Sequence, residues 1–253
     1  MADSAWVPSL ASDVPATTTT PRHTAVVRIT HWITTLCFFA LLVSGIEIVI
    51  SHPRFYWGEV GNVLTPSLFD LPIPASRSAV KTGYGYVLPD QNGWSRSLHF
   101  QTAWILIFTG LLYVGFSLIT RHFGKNLLPA PADLSPRALW KSLVDHLPFK
   151  RQDPAEDWSY NVLQRLAYLF VILVAFPLMI WTGLAMSPAV TSAIPFTVTV
   201  FGGQQSARTL HFFATVFLIL FLLVHVVEVW RAGFRKRMRP MLTGRASEPK
   251  EHA

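Results

Sequence analysis

The chain has 253 residues, of which 51% are hydrophobic and 14% charged, and its formal net charge is +7. Its single cysteine, Cys37, excludes a disulfide framework, a zinc–cysteine cluster and an iron–sulfur set, so any metal held here must be held through the nine histidines. The positive charge comes with no nucleic-acid motif, and its placement along the chain points to a membrane instead.

Residues 1–21 are rich in Ala, Ser, Thr and Pro and carry too little apolar area to offset ordering entropy, so they read as a flexible cytoplasmic arm. The first long apolar block, 26–50, begins too late and runs too long for a removable signal peptide, and counts as a span. A connection over 51–96 follows, with Phe55-Tyr56-Trp57-Gly58 and Gly83-Tyr84-Gly85-Tyr86 in it. A loop of that size is expected to cover a site or dock another protein, although Tyr56 and Trp57 also suit an interfacial aromatic belt. The second block is 98–119, after which a mixed-charge connection, 120–161, offers an amphipathic surface helix over 136–146. Pro177 lies inside the third block, 162–186, and predicts a kink; the apolar connection 187–206 should pack back onto the bundle. The fourth block, 210–230, leads into a basic tail, 236–253.

Each block supplies roughly the 20 apolar residues that cross a hydrocarbon core of about 30 Å. The expected fold is therefore all-α: an integral membrane four-helix bundle over 22–235. Four spans put both chain ends on one side. With those ends inside, 16 of the 21 Lys and Arg residues are cytoplasmic, including Arg231, Arg235, Lys236, Arg237 and Arg239. This positive-inside bias sets N-in, C-in.

Four histidines fall within the spans, where an ionisable side chain is costly and marks function by default. His211 and His225 are 14 residues apart, which on a helix means a rise of about 21 Å and a rotation of only about 40°. They share one face near opposite membrane surfaces. The first span starts inside, so His31 lies near the cytoplasmic surface; the second and fourth start outside, so His99 and His211 lie near the other. Pairing by depth gives His99 with His211 and His31 with His225. Two facing pairs describe a scaffold for two b-type haems better than one metal centre.

Arg28, Arg96 and Arg208 each stand three residues before His31, His99 and His211, one turn closer to water. An arginine fork suits a haem carboxylate at the membrane boundary. His225 has its water side downstream, where Arg231 or Arg28 could serve. Gly45 and Gly115 fall near the depths of the outer and inner pairs and would let backbone approach a flat ligand. A quinone or proton site is expected around Glu228, Tyr160, Asn161 and Arg165; no catalytic side-chain set is apparent.

The stretches Arg28-Ile29-Thr30-His31-Trp32, Ser44-Gly45, the His99 span, Ala207-Arg208-Thr209-Leu210-His211-Phe212 and Leu222-Leu223-Val224-His225-Val226 carry a resemblance. They resemble the di-haem cytochrome b subunits that accompany membrane-bound nickel–iron hydrogenases, formate dehydrogenases, thiosulfate reductases and related molybdenum enzymes. The resemblance covers about residues 22–235. It implies a bacterial inner-membrane electron relay between an outer-side catalytic subunit and the quinone pool, with the four histidines as axial ligands. The phrase Ser51-His52-Pro53-Arg54-Phe55-Tyr56-Trp57-Gly58 is similar to a subgroup paired with a sulfite-oxidase-like molybdopterin protein. A nickel–iron hydrogenase subunit is the nearest alternative. A stand-alone haem oxidoreductase and a membrane transporter are the remaining classes, and the transporter leaves the depth-matched histidines unexplained.

Overall fold

The computed structural model describes residues 23–62, 64–73, 93–145 and 162–244. The N-terminal arm, His146, Tyr160, Asn161, His252 and the Gly83–Tyr86 motif lie outside them. In chain order the elements are α1 (Ala25–Ser51), strands β1 (Arg54–Phe55) and β2 (Phe69–Asp70), α2 (Gly93–Ile119), α3 (Pro136–Asp145), α4 (Val162–Ala185), α5 (Pro188–Ala193), α6 (Phe196–Thr199), α7 (Gln204–Arg231) and α8 (Phe234–Thr243).

Helices α1, α2, α4 and α7 are long and apolar enough to cross a membrane, and no more than 22% of the apolar window of each is buried. Large apolar side chains such as Leu36, Val43, Leu111, Leu220 and Leu223 point outward, while Thr30, Ser44, Thr109, Ser117 and Thr182 are buried. This inverts a soluble protein. Lipid gives no reason to bury leucine, so helices approach through small residues, and all of these hydroxyls but that of Ser117 are satisfied locally. Thr30, Ser44, Thr109 and Thr182 each donate to the carbonyl four residues back, at 2.7–2.8 Å.

Two of these helices begin earlier than their apolar blocks. α2 starts at Gly93 and α7 at Gln204, because a helix keeps satisfying its own backbone beyond the last apolar residue. For α7 the extension is capped from outside. Glu59 accepts from the Gln204 amide at 3.0 Å, where a carboxylate also meets the positive helix end, and the Gly58 carbonyl accepts from Gln205 and Ser206. The Ser206 hydroxyl in turn accepts from Gly58 N–H at 2.7 Å, and Thr209 donates to the Tyr56 carbonyl at 2.7 Å.

The loop after α1 is thus bolted to the start of α7. β1 and β2 pair antiparallel, Arg54 opposite Asp70 and Phe55 opposite Phe69. Phe55, only 2% exposed, stacks on Phe69 and meets Phe212 of α7 at 4.5 Å between ring centres. Tyr56 is buried as well, whereas Trp57 is 59% exposed.

α1 runs along α2, and α4 packs on α7; the two pairs make sparse backbone contact with each other. They meet at mid-height, where Val171, Ala175 and Leu218 are buried against Phe38, Phe176, Met179 and Phe221. The proline in α4 leaves the helix continuous. A widened π turn over Val171–Ala175, closed by the Phe176 amide on the Val171 carbonyl, immediately precedes Phe176-Pro177. It takes up the crowding that the ring imposes on the preceding turn.

The apolar connection after α4 does fold back: Trp181 donates to the Thr197 carbonyl at 3.1 Å, and its ring meets Phe196 and Phe201. The basic segment that follows the fourth span is helical as α8. Its last turn is tied to the first span, where Arg28 donates to the Leu242 carbonyl at 2.9 Å and Trp32 to the Met241 carbonyl at 3.2 Å.

Gly203 is where the loop backbone presses closest on the start of α7. Its φ is +131°, and a Cβ there would meet Gly58 and Glu59 backbone atoms at 2.5 Å. Gly203→Ala should cost about 1–3 kcal/mol and loosen residues 52–62, read as a lower Tm in detergent and faster limited proteolysis within that loop.

Candidate functional site between the helix pairs

α7 carries His211 and His225, α1 carries His31 and α2 carries His99. The structure brings them together in two pairs. The His99 and His211 rings lie 6.3 Å apart, centre to centre. Two imidazoles bound end-on to one metal, at about 2 Å per bond, leave ring centres roughly 6 Å apart. At the other end of the bundle His31 lies within electrostatic reach of His225. Among the described residues no cluster of three or more His, Cys, Asp or Glu exists, so a bare ion has no polydentate cage. The donor set fits a metal that brings its own equatorial ligands.

The second nitrogen of each ring decides how it can bind. The Ser44 hydroxyl sits 3.0 Å from His99 Nδ1, and the Thr182 hydroxyl 2.9 Å from His211 Nδ1. Each hydroxyl has one proton, which goes to a helix carbonyl: Ala40 at 2.7 Å for Ser44, Leu178 at 2.8 Å for Thr182. With that proton on the carbonyl, the hydroxyl oxygen accepts and Nδ1 carries the hydrogen. The neutral ring is left with its lone pair on Nε2, the form a metal requires.

The residue after each hydroxyl is glycine. A Cβ at Gly45 would stand 3.5 Å from His99 Cε1, and one at Gly183 would stand 3.5 Å from His211 Cε1. Two dipeptides on two helices, Ser44-Gly45 and Thr182-Gly183, therefore hold two rings in the same way. The other pair differs. Nδ1 of His31 and Nδ1 of His225 are both buried with no hydrogen-bond partner. Their neighbours are rings: Trp32 edge-on to His31, Phe221 stacked on His225 at 6.0 Å, and Tyr168 edge-on to it.

Residues 22–244, which include all four histidines, match the family described as prokaryotic cytochrome b561. The chain belongs to that family. Similar proteins include a putative protein-methionine-sulfoxide reductase subunit of Azospira oryzae, 28% identical over 212 residues that make up 82% of this chain and 89% of that protein. A probable Ni/Fe-hydrogenase B-type cytochrome subunit of Cupriavidus necator is 23% identical over 231 residues, 87% of this chain and 83% of that one. No solved structure gives a significant match. Cytochromes b561 are integral membrane proteins that bind b-type haem and carry electrons.

Around the histidines of this cytochrome the arginines take separate positions. Arg208 donates to the Arg54 carbonyl, and its guanidinium lies 5.2 Å from the Phe55 ring centre and 5.9 Å from that of Tyr56. Arg28 is engaged with α8, and Arg96 is exposed. Nε of both Arg28 and Arg208 is buried without a partner. Gly115 faces open space, with no atom within 4 Å of a Cβ built on it. Glu228 pairs with Arg231 at 2.9 Å; Arg165 is at the start of α4, and its expected companions Tyr160 and Asn161 lie outside the described residues.

Thr182 and Gly183 do not stand out in the sequence because α4 has no histidine. The signal for them is the recurrence of a hydroxyl residue followed by glycine at the depth where a histidine faces. Gly45→Val and Gly183→Val place branched carbons against the rings. Each should lower haem per chain, measured by pyridine haemochrome, with helical content by circular dichroism unchanged.

Proposed function

We propose that this cytochrome relays electrons through two b haems, one between His99 and His211 and one between His31 and His225, linking an outer-side redox enzyme to the quinone pool of a bacterial inner membrane. The observation that carries this reading is the facing His99–His211 pair, with ring centres 6.3 Å apart and both Nδ1 atoms hydrogen-bonded so that both Nε2 lone pairs are free. Haem held there by His99 and His211 would supply a one-electron ferric/ferrous couple suited to electron transfer. The protein's share is to fix spacing, orientation and surroundings. Fourteen residues of α7 separate the two levels by about 21 Å, and Leu218, Phe38 and Phe221 pack between them at mid-height.

Arg28, Arg96 and Arg208 stand at the helix starts, where they would meet haem carboxylates. Arg208 and Arg28 have buried unpartnered Nε–H groups to offer. On the cytoplasmic side, the Glu228–Arg231 pair and Arg165 mark where a quinone and its proton would be handled.

The outer partner is read from the chemistry of similar proteins. One is named as a subunit of a protein-methionine-sulfoxide reductase and the other as a hydrogenase cytochrome. The 51–58 phrase, with its resemblance to partners of molybdopterin proteins, favours the first. The bolted loop supports docking: it holds Phe55 and Tyr56 inside while Trp57, Val60 and Leu64 stay exposed. The catalytic partner would then be a molybdopterin oxidoreductase, with a nickel–iron hydrogenase as the second reading.

Purified protein should carry two haems per chain. His99→Ala or His211→Ala should remove one, and His31→Ala or His225→Ala the other; one haem in the intact protein would refute the paired arrangement. For N-in, C-in orientation, a fluorescent protein fused after Ala253 should fluoresce in the cytoplasm, and alkaline phosphatase fused there should be inactive.

A further inference from the structure

The two histidine pairs differ in what their outer nitrogens touch, and that difference bears on which way electrons run. Ser44 and Thr182 are fully buried, 0% exposed, and each is the hydroxyl partner of an imidazole. A hydroxyl whose only task is to sit quietly in a helix needs just the carbonyl of its own preceding turn. Both have that carbonyl, and both are aimed at a ring from a different helix as well. His31 and His225 have no such partner, although their Nδ1 atoms are equally shut off from water.

We propose that Ser44 and Thr182 are positioning residues that hold the iron between His99 and His211 at a lower reduction potential than the iron between His31 and His225. This rests on the two-haem reading above. An imidazole that donates its Nδ1–H into a hydrogen-bonded chain is a more basic ligand at Nε2. A more basic axial ligand stabilises ferric over ferrous iron, and second-shell hydrogen bonding is one of the levers a protein has on haem potential. Here the chain is ring to hydroxyl to helix carbonyl, made twice at one level and at neither histidine of the other. The low-potential centre lies beside the bolted loop and the high-potential centre beside α8. An electron accepted at the loop end therefore moves downhill toward the α8 end. The protein is poised to carry electrons in that direction more readily than in reverse.

The test uses full-length holoprotein in detergent, with midpoint potentials read from the absorbance of the reduced b bands. Wild type should show two one-electron components. Ser44→Ala and Thr182→Val should each shift the lower component upward, the double variant further, with the upper component unmoved and two haems per chain retained. Ser44→Thr should restore the lower component. His225→Ala, which should lose the iron beside α8, identifies the components: the one that remains should be the lower.

The proposal is overturned if two haems are retained and the lower component does not move, if the upper one moves instead, or if His225→Ala leaves the upper component. The last comparison stands even where a hydroxyl variant does not accumulate. A single haem in wild type would instead overturn the two-haem reading, a result the haem count reports separately from the potentials.

Discussion

An imidazole ring inside a bilayer has two nitrogens and no water to satisfy either of them. Most of this architecture follows from how the four intramembrane histidines meet that constraint. At His99 and His211 one nitrogen is paired by a hydroxyl from a neighbouring helix, and the hydroxyl is paired by the carbonyl four residues behind it. The proton is thereby located without any charged group. The remaining nitrogen is forced to be an acceptor, which in lipid is tolerable only if something accepts its lone pair. A haem iron is such a partner. The glycines beside the two hydroxyls follow from the same demand, since the ring must lie against backbone to reach them.

That demand explains why the helices associate in pairs rather than as an evenly packed bundle. α1 with α2 and α4 with α7 are close neighbours, and the pairs touch mainly through a thin layer near mid-height. Holding such an open arrangement together requires ties elsewhere. One is the loop after α1, whose carbonyls, carboxylate and buried Phe55 fix the first turn of α7 just ahead of His211. The other is the hold of Arg28 and Trp32 on the end of α8, just beside His31. Each tie sits next to one histidine pair, so the ends of the bundle are fixed where ring placement matters most.

Much of this was legible from sequence because lipid simplifies the code. A span needs length and apolarity, and four blocks supplied both; a histidine in a span is conspicuous, and fourteen-residue spacing puts His211 and His225 on one face by geometry alone. The limits of α2 and α7 were less legible. Their polar first turns, Ser95 to Ser97 and Gln204 to Arg208, break the apolar run while the backbone continues helical. Thr182-Gly183 was hidden for a different reason: its importance is visible only once His211 is opposite it. Arg208 shows the reverse case. Its spacing from His211 is as regular as that of Arg28 from His31, yet its guanidinium is committed in part to the Arg54 carbonyl and two aromatic rings, a tertiary contact that no helical register announces.

The hold of α1 on α8 has a consequence for biogenesis. His31 is in α1, and both its facing histidine and the carbonyls that grip Arg28 and Trp32 are more than 190 residues downstream. Nothing made in between can complete that end. The pair of α1 and α2 must wait in the membrane as an unfinished half-site until α7 is threaded and α8 after it swings back. Synthesis order thus becomes part of the architecture: a chain cut short anywhere before residue 241 lacks the clasp that holds α8 to α1.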